Sequence, residues 1–80
     1  MSLLGHSETM VVPGATIEYR YDGNRLSRVI AHVFSGISRN SVLAMWDEIG
    51  YHIPSNADLI QEPTEIDGNV YIKQWKVIYE

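Results

Sequence analysis

Apolar and polar residues alternate with a period of two along most of this chain, and in one stretch the period lengthens. Between Ile37 and Tyr51, the residues Val42, Met45, Trp46 and Ile49 fall at i, i+3, i+4 and i+7, one face of a helix. Ser38 suits the N-cap, and Ile37 and Val42 have the spacing of a hydrophobic staple across it. Gly50 stands where a left-handed C-cap would end the helix, with Tyr51 free to fold back onto Trp46. The pattern therefore predicts one helix over 37–50.

The rest of the chain reads as strand and turn. Residues 1–9 are expected to form a flexible arm, followed by a brief strand at Met10-Val11-Val12 and a turn at Pro13-Gly14. Ala15, Ile17, Tyr19 and Tyr21 alternate with Thr16, Glu18 and Arg20, as in a half-buried strand. Asp22-Gly23 is a preferred two-residue hairpin loop. In that register Tyr19 faces Leu26, Ala15 faces Ile30, and Arg20 opposes Arg25. Like charges directly opposite are unfavourable, and Arg28 would fall on the apolar face, so a bulge or slip is foreshadowed. Beyond the helix, a short strand is expected at 58–62, with Leu59 and Ile60 inside. A second turn is expected at Asp67-Gly68, and then a long strand over 69–79. That last strand is apolar on both sides. Tyr71, Trp75, Val77 and Tyr79 lie on one side, and Val70, Ile72 and Ile78 on the other. A strand of this kind is central and doubly covered, or part of a subunit interface.

This order of elements predicts a single α+β domain over 1–80. It has an antiparallel sheet of four or five strands with the helix on one face. The alternative is a small SH3-like barrel, against which the central helix argues. One helix cannot cover two sheet faces, so self-association through Val70, Ile72 and Ile78 is expected.

Composition narrows the functional classes. The 80 residues contain no cysteine, which removes disulfides and thiolate chemistry and fits a cytoplasmic protein. No apolar run is long enough to span a membrane. The net charge of −4 is uneven: four arginines against three acids in residues 1–40, two lysines against seven acids in 41–80. An acidic total disfavours a general binder of nucleic-acid backbone.

Candidate chemistry is sparse. His6, His32 and His52 have no compact metal-ligand spacing, and no metal or other cofactor is expected. The serines sit in no nucleophile-elbow pattern, and the paired acids Asp47-Glu48 read as a solvated helix end. The most suggestive surface is the first hairpin, where Tyr19, Arg20, Tyr21, Arg25 and Arg28, with Arg39 nearby, combine charge with aromatic rings. Such a cluster suits a protein interface or single-stranded nucleic acid. Three functions follow in order. The first is a non-catalytic interaction or regulatory module that associates with itself, or with another protein. The second is an RNA or single-stranded nucleic-acid binder acting through residues 19–28. The third is a small oligomeric enzyme with its site between subunits, which would need His32 or His52 beside a carboxylate in a pocket.

Overall fold

The computed structural model describes residues 5–34, 36–62, 65–66, 69–70 and 72–79. The elements in chain order are β1 (His6–Val12), β2 (Ala15–Asp22), β3 (Arg25–Val33), α1 (Arg39–Gly50), β4 (Ala57–Gln61), β5 (Glu65–Ile66), β6 (Asn69–Val70) and β7 (Lys73–Val77). Five strands form one open antiparallel sheet in the order β1-β2-β3-β7-β4, and β5 and β6 pair separately. The small α+β fold is thus the one the pattern predicts. The sheet has two distinct ends, β1 and β4, so the barrel alternative is set aside.

The helix packs on one face of this sheet because its apolar period matches that of the strands beneath it. Val42, Met45 and Ile49 are buried against Val12, Ala15, Ile17, Val29, Ala31 and Val33. Trp46 and Trp75 pack partly buried at the margin of this core. Ser38 caps the helix as expected, its Oγ accepting from the Ser41 N–H at 3.3 Å. The other end differs from expectation. Gly50 is the last helical residue, outside the left-handed region, and Tyr51 is 86% exposed rather than folded onto Trp46. Consecutive bonds from the Tyr51, His52 and Ile53 N–H groups to the Glu48, Ile49 and Gly50 carbonyls close the final turn, so no left-handed glycine is required. A Cβ at Gly50 would meet nothing within 4 Å. Gly50→Ala should therefore raise stability by about 0.5–1 kcal/mol, read as a higher urea midpoint.

Three further expectations are corrected. Residues His6 to Thr9 are not a loose arm: they pair residue for residue with β2, His6 opposite Tyr21 through Thr9 opposite Glu18. Residues 1–4 lie outside the described residues. The first hairpin turns at Gly23-Asn24, with Asp22 opposite Arg25 and Tyr21 opposite Leu26, a register two residues from the expected one. A bulge then shifts the pairing again, so Arg20 opposes Arg28, Tyr19 opposes Val29 and Ala15 opposes Val33. The bulge, with Ser27 Oγ donating to the Arg20 carbonyl at 3.2 Å, moves Arg28 off the apolar face. Lastly, the expected strand 69–79 is broken into β6 and β7. Tyr71, Asp67 and Gly68 lie outside the described residues.

No helix among the described residues is long and apolar enough to cross a membrane.

Candidate functional site

With α1 on one face of the sheet, the register decides which side chains meet on the other. Across β2, β3, β7 and β4 one row reads Arg20, Arg28, Lys76, Asp58. The adjacent row reads Glu18, Ile30, Gln74, Gln61. Ile30 was expected beside Ala15; it lies on the opposite face and is nonetheless only 1% exposed.

Charge on this face is partly neutralised. Glu18 Oε2 accepts from Arg20 Nε at 3.0 Å, and its Oε1 lies 3.0 Å from His32 Nε2. These hydrogen bonds, the one from Arg20 foremost, hold the Glu18 carboxyl below its ordinary range against a smaller opposing effect of burial. A depressed carboxylate contributes stability that is complete above its unfolded value of about 4.3 and disappears as pH falls through its folded value. Glu18→Gln should therefore flatten this part of the acid limb, with urea midpoints that fall less on acidification than those of the wild type. Among the described residues Arg28 and Lys76, directly opposite each other, make no ion pair.

The first hairpin separates what the sequence had grouped. Tyr19 points to the helix side, where its hydroxyl donates to the His52 carbonyl at 3.5 Å and burial raises its pKa. Tyr21 stacks on His6 with ring centroids 4.8 Å apart. Arg20 and Arg28 lie on the opposite face, and Arg25 stacks over the Tyr79 ring, 3.7 Å from its centroid. Arg39 begins the helix. The six residues do not form one patch. Alternation in a strand sends successive side chains to opposite faces, so a cluster in sequence is divided in space.

The histidines are equally dispersed. The Glu18–His32 pair sits on the face away from the helix with the His32 side chain 39% exposed, and no group of three His, Asp or Glu among the described residues could hold a metal ion.

The last strand meets its expectation only in part. Within β7, Gln74 and Lys76 occupy the side away from the helix, so Ile72 and Ile78 are not joined by an apolar stripe. Ile72 is half-buried, Ile78 is 43% exposed, and the Val70 side chain lies outside the described residues. Ile78 instead belongs to a patch that the sequence did not single out. It sits beside β4, the end strand of the sheet, together with Ile60 and Tyr79, which are 48% and 42% exposed. Ile60 was expected inside; it is the extra residue of a second bulge, between Leu59 and Gln61, that turns it outward. A groove runs along this corner, lined on one stretch by Arg25, Ser55, Asn56, Asp58, Ile78 and Tyr79. It continues past Ile60 and Lys76. Asn56 fixes its floor, because its side-chain amide donates to the Ile78 carbonyl at 2.9 Å and its carbonyl accepts from the Ile78 N–H at 3.1 Å. No family model, curated protein or solved structure matches the chain.

Proposed function

We propose that this chain is a non-catalytic interaction module that associates with itself through the β4 edge. One observation carries the reading: β4 ends the sheet, and the exposed side chains of Ile60, Ile78 and Tyr79 flank it. An end strand presents unpaired backbone N–H and C=O groups, a template for another strand. Natural edges are commonly blunted by lysine, proline or a bulge; β4 reads Ala-Asp-Leu-Ile-Gln, with no lysine or proline, and its one bulge turns Ile60 outward beside the edge. Exposed isoleucines beside such an edge add apolar area that water is released from on pairing. A cysteine-free sequence is compatible with the cytoplasm as its setting.

The test is solution mass by light scattering behind size exclusion over a range of concentrations. The wild type should form a dimer, and Ile60→Lys and Ile78→Lys should each shift it toward monomer. A wild type that stays monomeric at every concentration overturns the reading.

A second reading, binding of RNA or single-stranded DNA, draws on Arg28 and Lys76, which make no ion pair among the described residues, on the face away from the helix. It is weaker, because the tyrosines that would stack on bases lie on the other side of the same hairpin. It expects oligonucleotide binding that falls with salt and with Arg28→Ala. The enzyme reading has one supporting contact, His32 beside Glu18 at 3.0 Å, and receives less support still, since neither His32 nor His52 lines the groove along β4.

A further inference from the structure

Independently of self-association, we infer that the β1–β2 corner, at the opposite end of the sheet from β4, binds a quaternary ammonium group between Glu8, Tyr19 and Tyr21. The register builds the site. Met10 packs against the core, so Glu8 and His6, two and four residues earlier in β1, lie on the same side of the sheet as the helix. Across from them on β2, Tyr19 is opposite Glu8 and Tyr21 is opposite His6, with no irregularity in the pairing. The helix covers Val12, Ala15 and Ile17, and the loop that follows it meets Tyr19 through the His52 carbonyl. Beyond that contact His6 and Glu8 are exposed. A groove of about 260 Å³ opens there, lined by Glu8, Thr9, Met10, Tyr19 and Tyr21.

The chemistry of the lining selects the ligand. The faces of aromatic rings attract cations, and the Tyr21 ring is held in place by the His6 ring, 7° from parallel. Glu8 adds a full negative charge, and among the described residues it makes no ion pair. Burial, then the charge of Glu8 and a hydrogen bond to it, raises the Tyr21 pKa, which sets the two side chains side by side. Both hydroxyl protons are thereby committed, that of Tyr21 to Glu8 and that of Tyr19 to the His52 carbonyl. A primary ammonium brings three N–H donors and would exchange its water for little more than one carboxylate. A quaternary ammonium has no donor to satisfy, and its methyl groups suit the rings and the Met10 thioether. That group is shared by free amines of the choline type and by trimethylated lysine in a peptide.

Titration of the isotope-labelled full chain, followed by NMR, tests the site with two probes: choline, and a short peptide carrying one trimethyl-lysine. Both should shift the amide signals of Glu8, Met10, Tyr19 and Tyr21. Tighter binding of the peptide makes a methylated protein the source of the group, and equal binding makes the free amine sufficient. Glu8→Gln and Tyr21→Leu should each weaken binding about tenfold. Glu8 is exposed, so its variant should fold as the wild type does, and circular dichroism verifies both. Neohexyl alcohol, the uncharged carbon analogue of choline, and the same peptide with unmodified lysine should bind far more weakly. Equal affinity for either of these overturns the proposal, as does the absence of shifts with both probes, or binding that Glu8→Gln leaves unchanged. Ile60→Lys, at the other end of the sheet, should leave the titration unaltered, so failure of the self-association reading and failure of this one are told apart.

Discussion

Ile49→Ala should cost about 2–5 kcal/mol of unfolding free energy, the usual range for truncating a buried isoleucine to alanine. Ile49 has no solvent exposure, and it is the helix residue set deepest against the sheet, in one cluster with Ala15, Ile17, Val29 and Ala31. Part of the cost is the lost transfer energy of the removed carbons, and part is the cavity left behind. The alanines and valines around it are short and cannot reach across to refill the space. A domain of this size has only about 4–12 kcal/mol of stability in total, so the variant should be partly unfolded at moderate temperature. The check is urea denaturation followed by circular dichroism, where the midpoint should fall while the slope is unchanged. Tyr51→Ala is the control. Tyr51 is in the same helix cap but is 86% exposed, and its replacement should change stability by no more than about 0.5 kcal/mol.

Gly14→Val should be about as severe, for two separable reasons. Gly14 has φ +84°, a left-handed conformation that costs a side-chain-bearing residue about 1–2 kcal/mol. Its Cβ would also run into Met45 Cε and come within 3.1 Å of Ile37 Cδ1, beneath the helix. Overpacking of this kind costs about 1–3 kcal/mol. Gly14 cannot readily move away, because its carbonyl accepts the Phe34 N–H at 3.0 Å. Gly23 isolates the first effect, since it has φ +65° and open space around it. Gly23→Ala should show the backbone cost alone. Combining Gly14→Ala with Met45→Ala should cost less than the sum of the two single changes, because the truncated methionine leaves room for the new methyl.

What the sequence disclosed and what it withheld divide along a physical line. Helix α1 was legible because its signals are local: a cap at Ser38 and an apolar period through Ile49 within a dozen residues. The alternation of β2 was legible for the same reason, and Ala15 and Ile17 are fully buried as it implied. Register was not. The run Asp22-Gly23-Asn24 contains two overlapping turn dipeptides, and the turn uses the second, which moves every cross-strand partner. Each contact of the candidate surface depends on such partners. Glu18 meets His32 across a strand pair, and Arg28 meets Lys76 over a separation in sequence that periodicity cannot measure. Ile60 turns outward at a bulge that no turn former announces.

The position of β7 has a consequence for how the chain reaches this state during synthesis. In chain order β7 comes after every other strand of the sheet, yet it is an inner strand, inserted between β3 and β4. β1, β2, β3 and α1 are contiguous in sequence and can pack as they emerge from the ribosome, but β4 has no neighbour to pair with until Lys73–Val77 has emerged as well. Sheet completion therefore waits for β7, and in that interval the open edge of β3 leaves the chain most exposed to aggregation and most in need of a chaperone.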